Sequence, residues 1–194
     1  MKYIFLLTFF FISFTAPYRE KVAFDYGIYK GEYSEVYEQP LWIQYSLYKP
    51  VSLVSRGHLN FYKPKDIHTS DNSDYANNEY DKGHIASAES FSDTKDHMYA
   101  TFSYCNSALQ NFSLNRGIWK ELESKERSWA QTDSIVVKCE LIFSKSSIKL
   151  KSGATVPDSF RKTIYFVFSK KQYIYYFNNS APTKPLESYL ISQK

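Results

Sequence analysis

Cysteine is scarce in this sequence, and internal repeats and low-complexity linkers are absent from it. Cys105 and Cys139 are the only two cysteines among 194 residues. Both lie inside apolar, strand-like runs, where they could form a disulfide in an exported protein or stay as two reduced, buried side chains. Both alternatives stay open, because a disulfide depends on a Cα separation that the sequence does not give. Without repeats or linkers, a chain of this length indicates a single domain with a hydrophobic core.

Only one long uncharged apolar run exists, and it lies at the N-terminus. Residues 3–16 (YIFLLTFFFISFTA) follow Lys2 and are too few to span a bilayer, which takes about 20 residues. The run fits the apolar core of a secretory signal, with cleavage near Thr15 or Ala16. We therefore expect residues 1–16 to be a signal peptide, the protein to be secreted or periplasmic, and the mature chain to have no integral membrane segment. An uncleaved N-terminal anchor is the alternative.

Neither sign of charge dominates the chain. The formal net charge of +4 permits a polyanionic partner but does not require one. Aromatic residues are abundant instead, at 19%, with 18 Tyr and 15 Phe. Many of them fall in strand-like runs, which is typical of a tyrosine-rich sheet protein. A few rings remain available as stacking surfaces for nucleic-acid bases.

The hydrophobic pattern predicts one α+β domain. Residues 17–40 lack a clear period and are interpreted as an irregular lead-in, and residues 56–81 are rich in Asn, Asp and Ser, which indicates loops. The best helix candidate is Ser113–Gln131, whose apolar side chains share one face. Alternating or continuous apolar runs predict strands in five places: Leu41–Val54, Met98–Cys105, Ser134–Ser144, Thr163–Ser169 and Gln172–Asn178.

Two polar segments carry the residue types that phosphodiester hydrolysis needs. The first is Asp81–Ala86 (DKGHIA) and the second runs from Asn106 to Glu123. A neutral imidazole can take a proton from water near neutral pH. An amide oxygen and a carboxylate suit a Mg²⁺ ion that keeps several waters, and a cation offsets charge on the phosphate. The candidates for these tasks are His84, Asn115, Glu123, Lys82 and Arg56.

The positions of Asn115 and Glu123 on the predicted helix are compatible with roles at one site. Asn115 lies near the start of the predicted helix, where backbone N–H groups favour an anion. Glu123 follows two turns later, displaced by about 80° around the helix axis. On chemistry alone these residues also fit ordinary roles, because a lone His is usually solvated, an Asn at a helix start is usually a cap, and a helical Glu usually faces solvent.

The combined pattern DKGHIASAESF followed by FSYCNSALQNFSLNRGIWKELE resembles the DNA/RNA non-specific endonuclease family. That family's pattern is Asp-Arg-Gly-His, then Ser-Asn-x-x-x-Gln, then Asn-x-Gly-x-Trp with a Glu four residues on. Its members share the ββα-metal active site and include secreted sugar-non-specific nucleases and the endonuclease G type. The motifs fall here, in order and at matching spacing, on Asp81, Gly83, His84, Asn106, Gln110, Asn115, Gly117, Trp119 and Glu123.

The resemblance implies a fold and a set of roles. The fold would be the ββα-metal nuclease fold, a central, mostly antiparallel sheet flanked by helices, in a nuclease domain over residues 41–194. His84 would be the general base, Asn115 the direct ligand of one Mg²⁺ that Mn²⁺ could replace, and Glu123 would orient metal-bound water. Asn106 would support the histidine and the metal waters. Substrate contacts would come from Lys82, Arg56 and Gln110, with Lys82 and Arg56 also serving catalysis.

Several positions depart from the family pattern. Lys82 replaces the usual Arg and loses its bidentate phosphate geometry. Ser87 and Leu109 stand where prolines are common, and Cys105 stands where a Ser is common. The segment Arg56-Gly57-His58 imitates part of the motif, but it lacks a preceding Asp, so His58 is interpreted as an ordinary surface residue.

The sequence therefore predicts a secreted, Mg²⁺-dependent endonuclease of low sequence and sugar specificity, with DNA and/or RNA as its substrate. A nuclease-like module that binds nucleic acid without cutting it is the competing interpretation. The joint presence of the catalytic residue types argues against it, because binding alone needs none of them. An exported structural sheet protein explains the tyrosines but not the motifs. An inhibitor protein and a homodimer are the further partners left open.

Overall fold

The computed structural model describes residues 17–48 and 53–194. The strands of the described chain are β1 (Val22–Asp25), β2 (Tyr29–Ser34), β3 (Gln39–Leu47), β4 (Tyr80–His84), β5 (Ser107–Asn111), β6 (Ile135–Ile142), β7 (Ser159–Phe166), β8 (Gln172–Asn178) and β9 (Leu190–Gln193). Its helices are α1 (Lys95–Ala100), α2 (Phe112–Leu114) and α3 (Lys120–Trp129). Short 3₁₀ turns occupy Asn72–Tyr75, Ala88–Phe91, Tyr104–Asn106 and Leu186–Tyr189.

A seven-stranded sheet in the order β1-β2-β3-β6-β7-β8-β9 forms the body of the molecule. All of its neighbouring pairs are antiparallel. A separate antiparallel pair, β4 with β5, precedes the helical segment that begins at α2. The expected α+β fold with a mostly antiparallel sheet is confirmed, and β4, β5 and the following helices give the ββα arrangement.

Alternation along the strands explains which face of the large sheet is covered. In β6 the side chains of Ile135, Val137, Cys139 and Leu141 are buried while their neighbours are half-exposed, as the two-residue period of a strand requires. This buried face packs against α3 and the turn before it. The hydrophobic effect of this contact holds α3 on the sheet.

The predicted helix Ser113–Gln131 exists, but it is not continuous. It consists of α2, a π-type turn over Asn115–Trp119 and α3. The break falls at Gly117, whose φ of −98° and ψ of −116° are not helical. The helical segment is capped by Asn111, whose side chain accepts hydrogen bonds from Ser113 N and Leu114 N. Asn115 therefore lies one turn inside the segment, and its side chain is free for another task.

Two predictions about secondary structure are wrong. Residues 17–40 contain β1, β2 and the start of β3, because pairing across the sheet orders a segment whose own pattern is weak. Met98–Cys105 is the end of α1 followed by a 3₁₀ turn rather than a strand. Thr94 caps α1 by accepting a hydrogen bond from His97 N. The sequence pattern misleads here because a short apolar run does not distinguish helix from strand.

The remaining strand predictions hold with shifted ends. The first strand spans Gln39–Leu47 rather than Leu41–Val54, and part of the predicted range lies outside the described residues. The strands predicted from Ser134, Thr163 and Gln172 correspond to β6, β7 and β8, and β7 begins four residues earlier than expected. Residues 56–81 are mainly loop, as predicted, with one 3₁₀ turn before β4.

The two cysteines do not form a disulfide. Cys105 and Cys139 are both buried and unpaired, so the reduced alternative is the one found. Burial raises the pKa of each thiol to about 12, which keeps both protonated. The predicted signal peptide over residues 1–16 lies outside the described residues. Within residues 17–48 and 53–194, no helix has the length and apolarity to cross a membrane.

Phe177 tests how much this core contributes to stability. Its ring is fully buried, 5.7 Å from the ring of Trp119 and 5.2 Å from that of Tyr189, measured between centroids. We expect Phe177→Ala to lower the free energy of unfolding by about 3–5 kcal/mol, because a cavity replaces the ring. Urea unfolding followed by fluorescence measures the change. Phe168, 72% exposed, is the control, and Phe168→Ala should change stability by less than about 0.5 kcal/mol. Equal losses in the two variants would contradict this account of the core.

Candidate active site

The pairing of β4 with β5 brings the two polar segments of the sequence together. His84 lies opposite Ser107, Gly83 opposite Ala108 and Asp81 opposite Gln110. A glycine is required at position 83, because a Cβ there would overlap the side chain of Gln110. Gln110 itself is fully buried, and its amide oxygen and nitrogen have no hydrogen-bond partner. Gln110 packs against Gly83 and does not line the cavity, so its contact with substrate stays a prediction that this geometry does not support.

The buried side chain of Asn106 connects the segment after His84 to the turn after α1. Its amide oxygen accepts a hydrogen bond from Ala86 N at 2.8 Å, and its amide nitrogen donates to Ala86 O at 2.8 Å and Thr101 O at 2.9 Å. The fully buried side chain therefore binds backbone groups with both of its N–H donors and with one lone pair of its oxygen. Asn106 supports His84 through the chain two residues further on, and its role at metal waters stays a prediction.

A cavity of about 390 Å³ gathers most of the other predicted site residues. Arg56, Lys82, His84 and Asn115 all line it, together with apolar and polar residues from two loops and from β4: Leu59, Asn60, Phe61, Asp81 and Phe102. Glu123 is not part of its wall. A larger cavity of about 690 Å³ lies between residues 25–30, residues 44–48 and the start of α1, and none of the predicted site residues lines it.

His84 is held between two aromatic rings. The centroid of its imidazole is 4.7 Å from that of Phe61 and 4.9 Å from that of Phe102. Nε2 is buried and has no hydrogen-bond partner. Burial lowers the pKa of His84 to about 3, and the positive charge of Arg56 adds to the lowering. The imidazole is therefore neutral at neutral pH, which is the state that accepts a proton.

Two cations stand beside His84 and are oriented by aromatic rings. The guanidinium carbon of Arg56 lies 4.7 Å from the centroid of the Phe102 ring, and its side chain is exposed. Lys82 Nζ lies 5.6 Å from the ring centroid of Tyr104 and donates to Asn72 Oδ1. Desolvation lowers the pKa of Lys82. Cation–π contacts of this kind hold a positive charge in place while leaving it available to an anion.

Asp81 fixes the orientation of Asn115. Its Oδ2 accepts a hydrogen bond from Asn115 Nδ2 at 3.0 Å, and Arg116 donates two hydrogen bonds to the same carboxylate, from Nε at 2.8 Å and from Nη2 at 2.6 Å. A carboxylate only accepts, so the NH₂ of Asn115 must face it and the amide oxygen must face away. Hydrogen bonding to Arg116 and Asn115 lowers the pKa of Asp81 against the opposing effect of burial, so the carboxylate stays charged.

The free oxygen of Asn115 fits a metal that is held mainly by water. It accepts no hydrogen bond from any described residue, and oxygen is the donor type that Mg²⁺ prefers. Across residues 17–48 and 53–194, no group of three or more His, Cys, Asp or Glu side chains could hold a metal ion. A metal at this cavity would therefore take Asn115 as its protein ligand and complete its shell with water.

Glu123 lies behind the cavity, on the sheet side of α3. Its Oε1 accepts a hydrogen bond from Trp119 Nε1 at 3.1 Å. Burial raises the pKa of Glu123 to about 7, against the opposing charge of Lys162. The structure therefore holds Glu123 on the indole of Trp119, outside the wall that His84 and Asn115 share.

Comparison with known proteins points to the same chemistry as this set of residues. The model of the DNA/RNA non-specific endonuclease family matches residues 9–193. The chain belongs to that family. The match includes residues 17–40, which the sequence pattern set apart as a lead-in. It follows that the protein is a nuclease, a hydrolase that acts on DNA or RNA.

The fold of this endonuclease is also found in a solved structure. A chain of the crystal structure of the EndoG/EndoGI complex, which concerns the mechanism of EndoG inhibition, superposes with a TM-score of 0.79 at 22% identity. The alignment covers 88% of this chain and 80% of that chain. Among curated proteins, none matches the sequence.

Some residues of the endonuclease site were not predicted. Asp81 was seen as part of a motif but was given no role, and its place opposite Gln110 on paired strands puts it beside Asn115. Phe61 and Phe102 enclose His84. Phe61 lies in a segment with no motif, and Phe102 begins the segment that carries Asn106 but is not one of the motif positions. No signal in the sequence identifies either ring, because both reach the site through loops. His58 is exposed and lies outside the cavity wall, in agreement with its interpretation as a surface residue.

The buried state of His84 predicts a pH dependence of stability. An unfolded histidine has a pKa of about 6.5, and the folded value is about 3, so the unfolded chain binds more protons between these values. The neutral His84 therefore contributes fully to the free energy of unfolding above the pKa of the unfolded histidine. This contribution is lost as pH falls towards the folded pKa, by up to about 1.4 kcal/mol per pH unit. Urea unfolding of the wild type and His84→Gln at about pH 7 and about pH 5 measures it. The variant should lose less stability on acidification, and parallel losses would contradict the buried, neutral state.

Proposed function

We propose that this endonuclease is exported, depends on Mg²⁺, and hydrolyses DNA and/or RNA without preference for sequence or sugar, with His84 as its general base. The observation that carries the proposal is the cavity in which His84, Arg56, Lys82 and the free amide oxygen of Asn115 meet. It combines a proton acceptor, two cations and an oxygen donor in one place. Export rests on the apolar run of residues 3–16.

His84 supplies the base. The imidazole is neutral because burial disfavours its charged form, and a phosphate entering the cavity raises its proton affinity, because an anion stabilises the imidazolium. The ring then takes a proton from the water that attacks phosphorus. Phe61 and Phe102 keep the ring in position and limit water around it.

Arg56 and Lys82 bind the phosphate and offset the negative charge that grows in the transition state. Lys82 takes the place where Arg is usual in this family, and it provides a point charge rather than a two-pronged contact. Its aromatic surroundings compensate in part by fixing the ammonium group. Arg56 supplies the planar guanidinium, which lies over the ring of Phe102.

Asn115 would hold the metal through its amide oxygen, and water would complete the shell. Mg²⁺, or Mn²⁺ in its place, would supply Lewis-acid stabilisation to phosphate and leaving-group oxygens. Asp81 orients the amide of Asn115, and Asn106 fixes the backbone after His84. Glu123, which lies outside the cavity wall, would orient a water of the metal's shell. An inhibitor protein is a further candidate partner, since the solved relative is in complex with EndoGI.

A cleavage assay on plasmid DNA and on RNA tests the proposal. Mg²⁺ should support cleavage of at least one substrate and EDTA should abolish it. We expect His84→Ala to lower kcat by about 10²–10⁴-fold, because a general base contributes that much. The control is His58→Ala, in the neighbouring Arg-Gly-His sequence, which should keep wild-type activity. Full activity in His84→Ala would remove the base from this mechanism. Tight binding without cleavage by the wild type would instead indicate a nucleic-acid-binding module.

The hydrogen bond from Asn115 to Asp81 gives a second test. We expect Asp81→Ala to raise the Mg²⁺ concentration needed for half-maximal activity by about 10–100-fold, because residues that orient a metal ligand contribute this much. Arg116→Ala removes the other partner of Asp81 and keeps the bond to Asn115, so it should have a clearly smaller effect. Titration of activity with Mg²⁺ measures both. Equal effects of the two variants would show that Asp81 acts through charge rather than through Asn115.

A further inference from the structure

A fully buried ion pair lies behind α3. Lys162 Nζ on β7 is 2.9 Å from Glu126 Oε1, and both side chains have an exposure of 0%. Tyr45 OH donates a hydrogen bond to the other oxygen of Glu126 at 2.7 Å. Transfer of two charges from water to a protein interior is unfavourable, and apolar residues of similar volume often replace such pairs without loss of stability. Stability alone therefore does not explain these charges.

The pair is in contact with the side chain that holds Glu123. Lys162 Nζ lies 4.1 Å from the ring centroid of Trp119, a distance typical of a cation–π contact. The N–H of the same indole donates to Glu123 Oε1 at 3.1 Å. Trp119 is fully buried, so its ring has little freedom to turn once the lysine is in place. A continuous set of contacts thus runs from Lys162 through Trp119 to Glu123.

We propose that Lys162, paired with Glu126, is a positioning residue that fixes the Glu123 carboxylate for phosphodiester hydrolysis through the indole of Trp119. The proposal rests on the proposed function, in which Glu123 orients water at the site. Neither Lys162 nor Glu126 lines the cavity, so neither touches substrate. Their effect reaches the reaction through the orientation and the charge of Glu123.

Electrostatics supports the same assignment. Burial raises the pKa of Glu123, and the charge of Lys162 opposes this more strongly than that of Glu126 reinforces it. Removal of both charges together therefore favours the protonated, neutral form of Glu123. The charged and polar groups that face Glu123 come from β7, α3, β3 and the turn after His84: Lys162, Glu126, Arg127, Tyr45 and Ser87.

The decisive variant replaces the whole buried network by apolar residues of similar size: Tyr45→Phe, Glu126→Leu and Lys162→Met together. Neither member of the buried pair is then left without its partner, and Glu123 can become neutral by taking a proton, so we expect the urea unfolding midpoint to equal or exceed that of the wild type. We expect kcat to fall by at least about 10-fold with KM little changed, because the orientation of a catalytic group is lost. The acidic limb of the pH–kcat profile should move to higher pH. A folded triple variant with wild-type kcat and an unshifted limb would overturn the proposal.

A matched control exists on the neighbouring strand. Lys138 on β6 pairs with Glu140 at 3.1 Å and lies 5.3 Å from the ring centroid of Trp42, so it repeats the chemistry at a half-exposed position away from the cavity. Lys138→Met with Glu140→Leu should leave kcat and the pH profile unchanged. An equal loss of kcat in this control would overturn the specific role of Lys162.

Two further variants distinguish a failure of the positioning role of Lys162 from a failure of the proposed role of Glu123. Trp119→Phe keeps a ring for Lys162 but removes the N–H that holds Glu123, so it tests the same link if the triple variant does not fold. It should lower kcat, and wild-type kcat in a folded Trp119→Phe variant would overturn the proposal. Glu123→Gln tests the proposed function itself. Wild-type kcat in Glu123→Gln would remove Glu123 from the mechanism, whereas an inactive Glu123→Gln beside an active triple variant would overturn the positioning role alone.

Discussion

The amide of Asn106 joins the segment after His84 to the turn after α1, two parts of the site that are about 15–20 residues apart in sequence. It accepts from Ala86 N and donates to the carbonyl oxygens of Ala86 and Thr101, and it is fully buried. These bonds tie the end of β4 to the turn after α1. An unpaired backbone group is costly in a buried place, so each bond restricts where the chain can go. These hydrogen bonds fix the position of His84, which lies two residues before Ala86. The register of β4 with β5 then fixes where Asp81 and Lys82 lie relative to His84.

Charges in this endonuclease fall into two groups with different physical behaviour. Arg56 and Arg116 are exposed, so water and salt screen them, and they suit contact with a polyanion that arrives from solution. Lys162 and Glu126 are buried, where screening is weak and geometry decides the energy. His84 shares features of both groups. Burial lowers its pKa, and the charge of Arg56 lowers it further, so the imidazole stays neutral. The site thus combines an accessible positive rim with a rigid interior.

Aromatic residues do more here than fill a tyrosine-rich sheet. Phe61 and Phe102 enclose His84, and Tyr104 helps to hold Lys82. Rings carry large apolar surfaces with few rotatable bonds, so they fix a polar neighbour at a small entropic cost. The high aromatic content of the sequence was interpreted chiefly as strand-forming tendency. The folded chain shows that part of it forms the walls of the active site.

The sequence by itself determined the family, the candidate site residues, most strands and the helix that carries Asn115, because motif spacing and local periodicity are properties of the chain alone. It identified His84 and Asn115 as candidates and Arg56 and Lys82 as their cationic neighbours. Only the tertiary structure decided that Gln110 is buried under Gly83, that the amide of Asn106 binds backbone groups, and that Asp81 turns the amide of Asn115. It also decided that residues 22–34 form strands and Met98–Cys105 does not. These outcomes depend on which segments pack together, and long-range packing overrides local propensity wherever the local signal is weak.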